Sequence, residues 1–410
     1  MITTENIFDV LLLVALALIF ARILGYIFDR FKQPAVVGEI LAGVILGGIV
    51  LEFFSGTHLN LFDNKIPLPN LNFNSFEFYI LAQIGILFLL FISGLEIRMS
   101  KLKKMERVSS FVAIGGVLVP LVLGFFSALF FDFSVQESII IGLILIATSV
   151  GVTVRTLMDL HVLDTDVGAT ILGSAVIDDV IGIILLAFAL GIESLMDAVW
   201  IGTRIIIFFL IFLILGLKLI DKILNLGEKI QLPKALLSIS LSVLLIYSFF
   251  ADKAGISGII GAFVAGILIG KTVDSHKIAN DVKTVGYGLF VPLFFVWIGA
   301  DLWQNAGSDG LSIATLGLFS VIIIIVGIFG KIIGCGIGAK LAGMDNIESL
   351  QIGVGMIPRM ELALIIASAA ITHNLLTGDT AQKVLVTTVI LIIVTTVITP
   401  FLIKATFEKS

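Results

Sequence analysis

The chain has 410 residues, 59% hydrophobic and 13% charged, with a formal net charge of −5 and a mean hydropathy of +1.17. Soluble domains run about 45–50% apolar and about 25% charged. No soluble interior hides such an excess, so the chain is read as an all-α polytopic membrane protein in the lipid bilayer. The small net charge gives no reason to expect a nucleic-acid partner, and the single cysteine, Cys335, excludes an internal disulfide.

A bilayer-spanning helix needs about 20 apolar residues. Windows of that kind predict about 13 spans, roughly 7–29, 34–52, 77–97, 108–131, 137–158, 165–191, 198–220, 234–252, 256–271, 284–303, 311–342, 348–372 and 381–406. The first follows an acidic start, MITTENIFDV, and reads as a mature helix rather than a cleaved signal. The window at 311–342 is long for one crossing, which predicts tilt or projection. Basic residues choose the orientation. Arg98, Lys101, Lys103, Lys104 and Arg107 gather between the third and fourth spans, and Lys218, Lys222 and Lys229 follow the seventh. That bias predicts the N-terminus outside and the C-terminus in the cytoplasm. One inner loop dissents, with Asp159, Asp164 and Asp166, but acidic residues weigh little in the rule. The whole chain, 1–410, reads as a single transmembrane domain.

The sixth span, VGATILGSAVIDDVIGIILLAFAL, places Asp178 and Asp179 side by side near its middle. A charge at bilayer centre costs about 2.5–3.5 kcal/mol on insertion scales, so the pair marks a functional site. Adjacent helical residues point about 100° apart, so the two cannot share one partner. Lys331, in IFGKIIGCGIGAK, either snorkels to an interface or pairs with one aspartate, leaving the other to line a cavity.

Two spans are interrupted. The fifth reads ILIATSVGVTVRTL, with Thr148 and Ser149 at mid-depth, and the twelfth reads IGVGMIPRMELALII, with Pro358, Arg359 and Glu361. Interrupted spans in corresponding halves point to a carrier built on inverted repeats, here spans 4–6 and 11–13. Arg359 and Glu361 read as structural or gating charges; Glu39, in PAVVGEILAGVILG, either starts its helix or lines a cytoplasmic funnel. No His/Cys metal spacing, phosphate loop or nucleophile elbow is present, so no enzyme is expected and no cofactor.

These residues resemble a known family: the monovalent cation:proton antiporters of the second type, the NapA-, GerN- and Kef-like group. The marks are PAVVGEILAGVILG at 34–47, FISGLE at 91–96, Thr148-Ser149, GSAVIDDVIG, Lys331 and PRMEL at 358–362. The resemblance implies the NhaA/NapA-like antiporter fold, with two crossed discontinuous helices, working as a homodimer. It implies ion-translocating core helices at about 108–191 and 311–406, and dimerisation or scaffold helices at about 7–97 and 198–303. By the family pattern Asp179 is the main ion-binding carboxylate, Asp178 pairs with Lys331, and Thr148 and Ser149 lie beside the transient sodium ion. Kef-like systems tend to carry Gln-Asp and a nucleotide-binding domain, and the electroneutral branch Asn-Asp without the lysine. The match is to the electrogenic, NapA-like branch, with Met360 where relatives often have glycine.

The expected function is exchange of sodium (or lithium) for protons across the cell membrane. A potassium/proton exchanger on the same scaffold is the alternative. A passive channel and an intramembrane aspartyl protease are remote; the protease needs a carboxylate dyad, and neighbours on one helix diverge.

Overall fold

The computed structural model describes residues 7–31, 33–53, 58–61, 64–67, 71–73, 75–189, 195–230, 232–273, 275–308 and 317–408. The helices are α1 (Ile7–Arg30), α2 (Ala35–Phe53), α3 (Phe76–Glu96), α4 (Met99–Phe130), α5 (Val135–Ile146), α6 (Val150–Asp159), α7 (Asp166–Ala189) and α8 (Leu195–Lys229). They continue with α9 (Ala235–Ala254), α10 (Gly258–Gly270), α11 (Ser275–Val285), α12 (Val291–Ser308), α13 (Leu318–Leu341), α14 (Asn346–Gly355), α15 (Glu361–Thr372) and α16 (Gly378–Phe407). A π-helical turn, Gly286–Phe290, joins α11 to α12. The connection after α2 holds a short antiparallel hairpin, β1 (His58–Leu61) with β2 (Asn64–Pro67).

Among the described residues, nine helices are long and apolar enough to cross a bilayer, and shorter apolar helices cover Ala35–Gly48, Gly258–Gly270 and Leu362–Ile371. The chain is a multi-pass, all-helical membrane protein. Counting α5–α6, α11–α12 and α14–α15 once each, the described helices make thirteen segments, in the predicted order. The expected long span is shorter than its window: α13 has 24 residues, ordinary for one crossing, and 311–316 lie outside the described residues. Conversely α8 runs for 35 residues, because its amphipathic end continues the helix past the apolar window.

The chain divides into two compact units, Met1–Leu89 with Lys283–Leu311, and Leu90–Val282 with Ser312–Ser410. In the first, Leu13, Ala17 and Ala21 of α1, Ala42 and Leu46 of α2, and Leu293, Val296 and Ala300 of α12 share one core with Phe73 and Phe78. The glycines of the PAVVGEILAG stretch allow this approach: a Cβ on Gly38 would collide with the Leu24 carbonyl, and one on Gly43 with that of Val296. Arg22 of α1 donates to the Tyr287 carbonyl in the π turn. Glu39 is buried on α2 with its Cγ near Gly25 of α1. It lies beyond the first helical turn, which holds no acidic residue, so a helix-start role does not apply.

The second unit contains both interrupted spans. α4, α5–α6 and α7 form one three-segment repeat; α13, α14–α15 and α16 form the other. Their broken members begin alike. Ser134 Oγ accepts from Glu137 N (3.3 Å) while Ser134 N donates to Glu137 Oε2 (2.8 Å). Asp345 Oδ1 accepts from Glu348 N (2.7 Å) while Asp345 N donates to Glu348 Oε2 (3.1 Å). Each is a reciprocal cap that fixes where a half-helix starts. At one end of this unit the basic start of α4 clasps the dissenting acidic loop. Arg98 Nε meets Asp164 Oδ2 at 2.9 Å, Lys104 Nζ meets Asp166 Oδ2 at 2.6 Å, and Lys101 donates to the Asp164 carbonyl.

Candidate functional site

α5 stops at Ile146, and Ala147 (φ −56°, ψ 135°) and Ser149 (φ −107°, ψ 120°) run extended before α6. α14 stops at Gly355, and 356–360 leave the helix before α15 begins at Glu361. Proline at 358 cannot donate, which helps break the ladder there. The two breaks touch. Ser149 N donates to the Pro358 carbonyl at 2.7 Å, Ser149 Oγ lies 3.1 Å from Met360 Sδ, and Thr153 Oγ1 donates to the Gly355 carbonyl at 2.7 Å. Met360 thus ends the break as the residue before α15, with its thioether against the other break.

Unwound backbone in a membrane needs partners other than water. Arg359, fully buried, supplies them with its guanidinium. Nη2 donates to the carbonyls of Leu145 and Gly327, both at 2.7 Å, Nε to Leu145 at 3.3 Å, and Nη1 to Ile357 at 2.8 Å. The arginine therefore caps the C-terminal end of α5, where free carbonyls carry partial negative charge. The partners of the guanidinium are backbone oxygens. Glu361 is the first residue of α15, and its side chain lies outside the described residues.

Asp178 faces the crossing from the middle of α7. Its Oδ2 accepts from Lys331 Nζ at 2.7 Å and from Thr148 Oγ1 at 2.5 Å, while its buried Oδ1 has no hydrogen-bond partner. The Asp178 and Lys331 side chains are 2% and 0% exposed, a fully desolvated ion pair. Removing either partner would leave a charge stranded, a loss of about 3–5 kcal/mol. Asp179, the next residue, is half-buried and projects to a different side of α7. The geometry joins Asp178, Lys331 and Thr148 in one cluster. Ser149 contributes to the break-to-break contact instead.

Close packing of α4 on α13 seats Lys331 between the two helices. Gly330, Gly334 and Gly338 recur every four residues, facing Pro120, Gly115 and Phe111 of α4, and a Cβ on Gly334 would collide with the Gly115 carbonyl. Gly116 completes the seat: a Cβ there would stand 2.6 Å from Cys335 Sγ and 3.5 Å from the Lys331 ammonium. The sequence reading passed over this small-xxx-small spacing, which by itself signals close helix contact in a membrane. Among the described residues no three His, Cys, Asp or Glu side chains cluster as a metal site.

A model described as "Sodium/hydrogen exchanger, transmembrane" matches residues 14–409. A protein named probable Na(+)/H(+) antiporter GerT, from Bacillus cereus, is 36% identical over 372 residues, 90% of this chain and 92% of that protein. The Na(+)/H(+)-K(+) antiporter GerN of the same organism is 33% identical over 402 residues, 98% of this chain and 97% of its own. Among solved structures, the sodium proton antiporter MjNhaP1 from Methanocaldococcus jannaschii at pH 8 superposes with a TM-score of 0.62 at 18% identity, covering 98% of this chain and 99% of that one. That likeness establishes the fold. With inverted repeats crossing at two helix breaks and a family match along nearly its whole length, this chain is a member of the sodium/hydrogen exchanger family.

Proposed function

We propose that the protein exchanges sodium for protons across the cell membrane and that Asp178, Asp179, Thr148 and Lys331 carry the exchange, with Ser149 holding the crossing beside them. The observation that supports this most is the buried Asp178–Lys331 pair at the crossing of two broken helices, with one carboxylate oxygen unpartnered. Sodium is a hard cation and takes oxygen ligands. The Asp179 carboxylate, Asp178 Oδ1, and hydroxyl or carbonyl oxygens at 148–149 are the oxygens on offer.

The cycle is a competition. Sodium arriving at Asp179 displaces its proton. When the Asp178–Lys331 pair releases a second proton, two protons move against one sodium ion and the exchange carries one net charge. Alternating access follows from the core helices, about 108–191 and 311–406, moving against scaffold helices at about 7–97 and 198–303, which also form the homodimer contact. The N-terminus lies outside and the C-terminus in the cytoplasm, in keeping with the basic loops. Arg359, Glu361 and Glu39 are structural or gating charges in this scheme.

The test is sodium-driven proton movement in proteoliposomes under an imposed membrane potential. Exchange accelerated by the potential in the direction of net charge supports the reading. Proton movement that ignores a sodium gradient refutes it, and a response to potassium but not sodium reassigns the cargo.

A further inference from the structure

Five threonines of α16 are buried: Thr387, Thr388, Thr395, Thr396 and Thr399. Most of their hydroxyls do what threonine usually does in a membrane helix, donating to a carbonyl one turn back. Thr388 Oγ1 donates to Val384 at 2.8 Å and Thr399 Oγ1 to Thr395 at 2.6 Å. Thr395 and Thr396 also reach off their helix, and both reach the same residue. The backbone N–H of Arg359 donates to Thr395 Oγ1 at 3.3 Å, and Thr396 Oγ1 donates to the Arg359 carbonyl at 3.4 Å. Thr395 Oγ1 has its own proton on the Leu391 carbonyl at 2.7 Å, which leaves it free to accept.

Arg359 sits in the unwound stretch, where its N–H and C=O have no helical partner, and it is wholly buried. A buried peptide needs partners for both groups. α16 supplies both from two adjacent side chains. The next link toward the site is short. The carbonyl of Pro358, one residue away, takes the Ser149 N–H, and Ser149 is bonded to Thr148, whose hydroxyl rests on Asp178.

We infer that Thr395 and Thr396 are positioning residues for the ion site: they fix the 358–359 backbone, and through Ser149 the Thr148 hydroxyl, at the separation sodium requires. The inference rests on the sodium/proton reading above. Losing these bonds loosens the oxygen cage without touching any charge, so affinity and ion choice suffer more than turnover.

Wild type, T395V/T396V, T395S/T396S and T388V are reconstituted in liposomes, and sodium- and potassium-driven proton exchange is measured with each. The valine pair keeps shape and removes both off-helix bonds. Its sodium KM should rise about tenfold, with turnover within about twofold and sodium-over-potassium preference reduced; tenfold corresponds to about 1.4 kcal/mol. The serine pair should restore wild-type values, and T388V, whose hydroxyl serves only its own helix, should leave them unchanged. A valine pair with wild-type KM and preference overturns the inference, as does a serine pair that fails to restore them. The parent reading fails separately, when wild type itself shows no sodium-driven proton movement.

Discussion

The two helix breaks both interrupt a membrane helix, yet they are opposite in chemistry. The break at 147–149 contains no charged residue and offers its Thr148 hydroxyl to a carboxylate on another helix. The break at 356–360 contains an arginine whose guanidinium donates to main-chain carbonyls. A broken membrane helix exposes partial charges that lipid cannot solvate. One break answers with a cation that never leaves. In the proposed scheme the fold separates a permanent charge that holds the crossing, Arg359, from the exchangeable charges of Asp178, Asp179 and Lys331.

Substitutions on the two sides should fail differently. Asp179→Asn, on the exchangeable side, should drop sodium-driven proton movement to that of empty liposomes while leaving the protein folded; retained exchange in that variant would remove Asp179 from the mechanism. Arg359→Leu, on the permanent side, takes the guanidinium away from the carbonyls of Leu145 and Ile357, which lie at a helix end and in the unwound stretch, at about 1–3 kcal/mol each. It should lower the thermal midpoint in detergent markedly. Arg359→Lys should recover part of that loss, since one ammonium cannot reproduce a planar fork; a midpoint equal to wild type in the leucine variant would contradict the capping role.

Lys331→Ala tests whether the buried pair belongs to the exchangeable side. The imposed potential should then cease to drive exchange, with a smaller change in sodium KM. An unaltered electrical response would place Lys331 with Arg359 among the fixed charges. The smallest effect belongs to Thr148→Val, which removes one hydrogen bond to a charged group. About 1.5 kcal/mol, or about tenfold in sodium KM, is expected, and an unchanged KM would show that the hydroxyl does not contribute to the cage.

The charges were legible in the sequence because lipid makes an unpaired charge so costly. Lys331 could be expected to meet one of the two aspartates for that reason alone; that the partner is Asp178 was implied only by the resemblance, and Asp178 is the one it meets. The interrupted spans were legible from their glycine, proline and hydroxyl content. Arg359 was legible as a charge in an interrupted span, but its partners were not, because every residue carries a carbonyl and no side chain marks Leu145 or Gly327. Thr395 and Thr396 were hidden for a related reason: buried threonines mostly bond their own helix, and nothing local marks the two that also meet the Arg359 backbone. Thr148 and Ser149 look equivalent as letters, yet the extended backbone turns one hydroxyl to Asp178 and the other to Met360.

The clasp between the start of α4 and the acidic loop joins residues 62 to 66 positions apart. A chain is synthesised from its N-terminus, so Arg98, Lys101 and Lys104 emerge well before Asp164 and Asp166 exist. During that interval the lysines and arginine stand uncompensated, the form in which basic residues anchor a nascent segment on its side of the membrane. When the aspartates arrive, the same positive charges become one half of a salt-bridged latch. Under the proposed orientation, a single run of residues serves first as a signpost for insertion and then as a seam in the finished molecule.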